Sequence, residues 1–294
     1  MTLQNSQTSY MNYNDLWQRL TQVYDTDEAK AVVRWVLDVG FGLTTTDIYC
    51  GKVETLSETD RQRLEAMMLR LEKAEPVQYV LGVADFCGRQ FHVAPGVLIP
   101  RPETEELCQW IEEETGGRRR ERECLLDIGT GSGCIAITLA LDIADSKVTA
   151  WDISDDALSI AQENAKRLGA DITFEKHDAL NPSLSTLHFP LFTTIVSNPP
   201  YIDETTERAA MSRNVLDYEP HIALFGPKDE PDLFYRRIGE YAIQSLKPGG
   251  RLYFELNPLT ALSVADYLRS LGFGEMEMRQ DQFGKNRFLK AIKI

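Results

Sequence analysis

Asp127-Ile128-Gly129-Thr130-Gly131-Ser132-Gly133 follows the apolar run from Cys124 to Ile128 and opens a stretch with helical spacing. Three glycines at alternate positions let a backbone turn sharply, without a Cβ clash, and come close to a ligand. Dinucleotide sites use the same physics, but with the spacing GxGxxG and a pyrophosphate resting on the helix N-terminus. Here the spacing is GxGxG and an acid stands ahead of it.

That acid points to the ligand. A carboxylate at Asp127 repels a pyrophosphate, yet suits a molecule carrying an ammonium and a sulfonium, as S-adenosylmethionine does. Asp127, Gly129, Thr130, Gly131, Ser132 and Gly133 are therefore candidate cofactor-binding residues. The next strand, Val148 to Trp151, leads to Asp152, nineteen positions after Gly133. At about that spacing a carboxylate meets the two hydroxyls of an adenosine ribose. A third strand, Ile172 to Phe174, leads to Asp178, Ala179 and Leu180, which would bring a carboxylate and an apolar wall to the adenine; Asp is also common in turns, but the functional reading of Asp178 is favoured. Further strands are expected at Thr194 to Ser197, Arg251 to Leu256, Gly274 to Met278 and Phe288 to Ile292, the last two close enough for an antiparallel edge. Strands alternating with helical patterns, one helix capped by Ser154, build a mostly parallel sheet covered by helices.

Working toward the N-terminus, the pattern changes. From about residue 11 to 75, apolar residues recur with helical spacing, as in Ala29, Val32, Val33, Val36, Leu37 and in Leu64, Met67, Met68, Leu71. Thr44-Thr45-Thr46 and Ser57 followed by Asp60 supply capping signals. Residues 76–100 carry Gly82, Gly88, Pro95, Gly96 and Pro100 between short runs such as Gln78–Leu81 and Gln90–Val93, and read as a β-hairpin linker. The expected domains are thus 1–75, helical; 76–100, hairpin linker; and 101–294, the sheet.

Composition narrows the function. The chain of 294 residues has a net charge of -14, which repels phosphate backbones, so stable nucleic-acid binding is not expected. The basic run Arg118-Arg119-Arg120 with Arg122 is interrupted by Glu121 and reads as a solvated linker. No apolar stretch approaches the length of a membrane span and no signal peptide opens the chain, so a cytoplasmic protein without membrane attachment is expected. Five scattered cysteines without a CxxC pair, and four histidines without HxxxH or HxH spacing, predict no metal site and no disulfide framework.

After the fourth strand comes Asn198-Pro199-Pro200-Tyr201, at the carboxyl end of the sheet where open α/β folds bind ligands. A planar NH2 on a carbonyl or an aromatic ring is a poor nucleophile because its lone pair is delocalised. Two acceptors aimed at its two hydrogens orient it and stabilise the charge that develops. The Asn198 side-chain oxygen and the Pro199 carbonyl make such a pair, the prolines stiffen the loop, and Tyr201 can stack on the planar group. Alone, Asn-Pro-Pro also reads as a plain turn. Following a glycine loop and a ribose acid in this order, it predicts methyl transfer to a planar amine, with Asn198, Pro199, Pro200 and Tyr201 as catalytic residues.

The tetrapeptide is shared by DNA adenine methyltransferases and protein-glutamine methyltransferases and does not choose between them. The chain resembles the HemK/PrmC family of release factor glutamine methyltransferases over nearly its whole length. The residues that carry this are Pro76-Val77-Gln78-Tyr79 with Gly82, Phe91, Val97 to Glu105, Asp127 to Gly133, Asp152-Ile153-Ser154, Asn198 to Ile202, and Tyr218-Glu219-Pro220 with Ala223-Leu224. The resemblance implies a seven-stranded class I, Rossmann-like methyltransferase domain with a small N-terminal helical domain. It implies S-adenosyl-L-methionine held by Gly129 to Gly133, Asp152, the position of Ala179, and Asn198. It further implies that Asn198 to Tyr201 hold the glutamine of a GGQ loop on class-1 peptide chain release factors, and that the Arg101-to-Glu105 segment, with Arg101 and Glu103, walls the active site. Departures from the family pattern fall at Ala179, at Phe225 to Pro231, and at Glu255-Leu256-Asn257. The competing readings are a DNA adenine-type enzyme, which would need a basic target-recognition region, a nicotinamide oxidoreductase, and a non-catalytic ribosome-associated binding protein.

Overall fold

The computed structural model describes residues 11–115, 122–181 and 191–294, so most of the arginine run lies outside the described residues. The chain divides into two compact units, one made of the residues up to Gly82 with Arg213–Tyr218, the other of Val83–Ser212 with Glu219–Ile294.

The first unit is helical: α1 (Tyr13–Leu20), α2 (Thr26–Phe41), α3 (Thr45–Tyr49), α4 (Glu58–Leu71) and α5 (Val77–Leu81). Each start has a local cause. Asn12 and Asp25 accept from backbone N–H groups of the first turns, Thr44 and Asp47 form a capping box, and Ser57 accepts from Asp60 N–H. One face of each long helix supplies the core, with Leu16, Val33, Val36, Leu37, Leu64 and Met68 all buried. Truncating one such leucine to alanine costs about 2 to 5 kcal/mol. Arg19 ties α1 to α4, with a two-pronged bond to Glu65 at 2.7 Å and a third to Glu72. The Tyr218 hydroxyl donates to the Lys73 carbonyl, joining the distant Arg213–Tyr218 segment to this unit.

One run departs from the expectation. Gln78–Leu81 lies in a helical turn, not in the hairpin, because Pro76 starts it with a preset φ and Gly82, at φ 73°, ends it. The hairpin is β1 (Val83–Phe86) and β2 (Arg89–His92), turned at Cys87 and Gly88, both with positive φ.

The second unit is built on a seven-stranded sheet. Its strands are β3 (Cys124–Ile128), β4 (Lys147–Asp152), β5 (Ile172–Lys176), β6 (Phe192–Ser197), β7 (Leu246–Glu255), β8 (Phe273–Gln280) and β9 (Asn286–Lys293), in the order β5-β4-β3-β6-β7-β9-β8. The first five of these strands pair in parallel, and β9 runs antiparallel between β7 and β8. The expected antiparallel edge pair is present, with the last strand placed inside the sheet. Helices α6 (Pro102–Thr115), α7 (Cys134–Asp142) and α8 (Asp155–Leu168) precede or follow the first strands. After β6 come the short α9 (Glu204–Glu207), α10 (Arg213–Tyr218, counted with the first unit) and α11 (His221–Leu224), then α12 (Leu233–Ser245) and α13 (Ala261–Ser270). Two apolar layers form the core. Trp151, Ile195, Tyr235 and Phe254 are among the residues of one, and Phe91, Trp110, Ile137 and Tyr253 among those of the other.

Strand order reverses between β3 and β6, so their carboxyl ends lie side by side, Ile128 paired with Ser197. This is where doubly wound sheets open a crevice. The fully buried Asn164 of α8 accepts from His92 N–H at 2.7 Å and donates to the His92 and Ser132 carbonyls, both at 2.9 Å, so one side chain joins the hairpin to the glycine loop. Among the described residues, no helix is long and apolar enough to cross a membrane.

Candidate active site

A cleft of about 260 Å³ opens at the carboxyl ends of β3, β4, β5 and β6. Gly129 and Gly131 form its floor, both in the left-handed region at φ 78° and 57°. The Gly129 and Thr130 N–H groups bond to the Trp151 carbonyl, so the loop continues the β3–β4 ladder before turning. At Gly133 the requirement is steric as well as conformational. Its φ is 82°, and a Cβ there would lie 2.9 Å from Ile137 Cδ1 and 3.1 Å from Ala161 Cβ.

Asp152 ends β4 and lines the cleft. Its Oδ2 accepts from Gly131 N–H and its Oδ1 from Ser154 N–H, each at 2.9 Å. Each oxygen keeps further lone-pair capacity, so the carboxylate presents two fixed, adjacent acceptors. Asp178 and Ala179 also line the cleft, with Leu180 beside them. Asp178 is at the same time a turn residue, bonding Leu180 N–H and the Asn181 amide at 2.9 Å. The His177 ring lies against Trp151 at 4.2 Å between centroids, and both meet Glu175. Asn198, Pro199 and Pro200 complete the wall from the end of β6. The Ser197 hydroxyl closes that end by donating to the Ile128 carbonyl at 2.7 Å.

Other expected site residues sit off the cleft wall. Asp127 is buried beneath the loop, and the Thr130 hydroxyl donates to it at 2.6 Å. Burial pushes its pKa up to about 7, against the opposing Thr130 bond. An acid so enclosed shapes the loop from below, and Thr130 spends its hydroxyl on it. Ser132 is buried and reaches Asn164 through its carbonyl. Arg101 pairs with the buried Glu219 at 2.5 Å, whose other oxygen accepts from Ile99 N–H, so its charge is already matched. Glu103, half-buried, is likewise not among the lining residues.

Tyr201, expected to stack on the substrate's planar group, is not among the residues lining the cleft. Its hydroxyl donates to Glu255 Oε1 at 3.1 Å and accepts from Arg287 Nη1 at 3.3 Å. Burial raises its pKa above the ordinary phenol value, with Glu255 adding to the rise. Glu255 ends β7 next to β6 and is 1% exposed; burial raises its pKa, while bonds from Thr104 and Tyr201 and the Arg287 charge oppose the rise. From sequence, Thr104 entered only as part of the Arg101-to-Glu105 segment and Glu255 only as part of the Glu255-Leu256-Asn257 stretch, neither with a role of its own. A carboxylate at the carboxyl end of a strand beside the crevice was the available signal for Glu255.

The chain matches a family model described as Methyltransferase small domain over residues 104–220 and one described as PrmC N-terminal domain over residues 14–82. A release factor glutamine methyltransferase of Bacteroides thetaiotaomicron is 46% identical to it over 93% of this chain and 96% of that protein. The chain belongs to the release factor glutamine methyltransferase family. A second such protein, from Flavobacterium psychrophilum, is 36% identical over 99% of both chains. Among solved structures, a T. thermophilus 16S rRNA N2 G1207 methyltransferase in complex with AdoMet and guanosine aligns with a TM-score of 0.52 at 19% identity, over 72% of this chain and 50% of that one. A methyltransferase from Pyrococcus furiosus aligns at 0.50 and 18% identity, over 81% and 99%. At such identities the likeness is one of fold, and that fold is the class I methyltransferase sheet.

In this member of the release factor glutamine methyltransferase family, one departure from the family pattern, Asn257, and Gly226, beside the departure at Pro227, both make local contacts with the Asn198 loop. Asn257 is buried, and its amide donates to the Tyr201 carbonyl at 3.1 Å and to Glu207 at 2.8 Å, which pins the loop that follows the two prolines. Gly226 packs against the same loop. Its N–H donates to the Ile202 carbonyl, and a Cβ on it would stand 3.4 Å from the Pro200 oxygen.

Proposed function

We propose that this chain methylates the side-chain amide nitrogen of the glutamine in the GGQ motif of class-1 peptide chain release factors, using S-adenosylmethionine. The observation that carries the reading is that Asn198, Pro199 and Pro200 share one cleft with the Gly129–Gly131 floor and the Asp152 carboxylate. The donor set suits the cofactor: two acceptors on Asp152 for the ribose hydroxyls, Asp178 with Ala179 and Leu180 for the adenine, and glycine backbone for close approach. When bound, S-adenosylmethionine supplies an electrophilic methyl group on a sulfonium.

The chain's own part is positioning and electrostatics. The Asn198 Oδ1 and the Pro199 carbonyl accept from the two hydrogens of the substrate amide, turn its nitrogen toward the methyl group, and stabilise positive charge as it develops there. The surplus proton leaves to water. Neither acceptor has to ionise, which fits a site whose reacting group is itself neutral.

Mass spectrometry of an unmodified class-1 release factor incubated with this protein and S-adenosylmethionine tests the reading, with a GGQ-to-GGA variant and adenine-containing DNA in parallel. One added methyl group on the GGQ peptide alone is the expected result. Methylated DNA with an unmodified release factor would replace the protein substrate with an adenine.

A further inference from the structure

Asn198 is a carboxamide, and only one of its two ends can accept a hydrogen bond. A site that needs its oxygen in the cleft has to prevent the amide from turning over. Asn198 Nδ2 donates to Thr104 Oγ1 at 3.2 Å, and Thr104 Oγ1 donates to Glu255 Oε2 at 2.7 Å. From the other side, Tyr201 donates to Glu255 Oε1, and Arg287 Nη1 donates to the Tyr201 oxygen and, at 3.1 Å, to the Leu256 carbonyl. Arg287 Nε completes the chain on the buried Asp281 at 3.2 Å.

With Glu255 ionised, the ends of this series determine the direction of each of its bonds. A guanidinium has donors only, so the Tyr201 oxygen accepts from it and the phenolic hydrogen goes to Glu255. An ionised Glu255 accepts only, so it draws the single hydrogen of Thr104 as well. The Thr104 oxygen is then left with lone pairs toward Asn198, and only the NH2 end of the amide satisfies them. Thr104 and Glu255 are 3% and 1% exposed, so water is a poor substitute for any of these partners.

We propose that Thr104 and Glu255 are positioning residues that hold the Asn198 carboxamide with its oxygen, not its NH2, presented to the cleft. This deepens the methyl-transfer reading and rests on it for its catalytic consequence. Neither residue touches the substrate. Each acts through Asn198, whose reversed amide would put a donor against the hydrogens it is meant to accept.

The test uses the full chain and three variants. Thr104→Val keeps the shape and removes the acceptor, Thr104→Ser keeps the hydroxyl, and Glu255→Gln keeps the size while allowing an NH2 to face Thr104 and reverse the series. Two quantities are read on each: the Asn198 side-chain NH2 signals by proton–nitrogen NMR, and single-turnover transfer to a class-1 release factor together with the KM for S-adenosylmethionine. Transfer in Thr104→Val and Glu255→Gln is expected to fall on the order of 10- to 100-fold, with the cofactor KM within about twofold, and Thr104→Ser to stay near wild type. The Asn198 NH2 is expected to exchange slowly in wild type and Thr104→Ser and quickly in the other two. Unchanged NH2 signals in Thr104→Val or Glu255→Gln overturn the proposal, as does wild-type transfer in a folded variant of either kind. A wild-type protein that leaves the release factor unmodified overturns the substrate reading, and the NMR comparison still decides the positioning role.

Discussion

Replacing Asp152 by asparagine is nearly isosteric, yet the structure makes it a severe change. Both carboxylate oxygens accept backbone N–H groups, Gly131 on one side and Ser154 on the other. An asparagine has one acceptor oxygen, so its NH2 has to face one of those two donors. Leaving one N–H unpaired costs about 1 to 3 kcal/mol, and hydrogen bonds from ribose hydroxyls to a charged group contribute about 1.5 to 3 kcal/mol. Calorimetric titration with S-adenosylmethionine should therefore show a dissociation constant raised roughly 10- to 100-fold in Asp152→Ala, and at least as much in Asp152→Asn. Without cofactor the order is more telling. Alanine leaves room for water at both N–H groups, whereas asparagine sets donor against donor, so Asp152→Asn should melt below Asp152→Ala, by about 2 to 4 °C per kcal/mol. Equal melting temperatures in the two variants, or an asparagine variant that binds within twofold of wild type, would refute the clamp.

Three further outcomes follow from the same geometry. Asn198→Ala should lower methyl transfer by at least about 100-fold while weakening cofactor binding only modestly; full activity would remove the amide-positioning mechanism. Gly133→Ala adds a Cβ within 2.9 Å of Ile137 at a φ of 82° and should destabilise by about 1 to 3 kcal/mol, seen as a lower urea midpoint, with a wild-type midpoint counting against it. Asp127 is protonated in folded and unfolded chains at low pH, and as pH rises the unfolded chain ionises first because the folded pKa is raised to about 7 from 3.8. Stability should thus fall through that window and level off above it, while Asp127→Asn should lack the slope; parallel pH profiles of melting temperature would contradict the burial argument.

Local signals in the sequence account for the sheet and for part of the cleft. The runs at Cys124, Val148 and Thr194 were legible because buried parallel strands are short, largely apolar and bounded by turns, whereas the edge strand Ile172–Lys176 has no buried residue and stands out by its place in the alternation of strands and helices. Asp152 and the Asn198 loop were legible because each stands at the end of such a strand. Helix Val77–Leu81 does not stand out in the sequence because five residues are too few to show a helical period, although Pro76 and Gly82 bracket them as helix signals. Long-range pairing is where reading along the chain stops. Nothing near Arg101 announces Glu219, 118 positions away, and nothing near Thr104 announces Glu255, 151 positions away. Asp127 was assigned to the ligand on charge alone, whereas burial and the Thr130 hydroxyl decide its surroundings.

The Asn164 amide bonds both polar groups of the His92 backbone, as a neighbouring strand residue would, and touches the glycine loop through Ser132. It is in effect a strand one residue long, made from a side chain. Two segments far apart in sequence consequently share one exchange barrier, since the His92 amide is exposed to solvent deuterium only when Asn164 lets go. A ligand that stiffens the loop at Ser132 should slow deuterium uptake at His92, outside the cleft, making a hairpin amide a reporter of whether the cofactor loop is occupied.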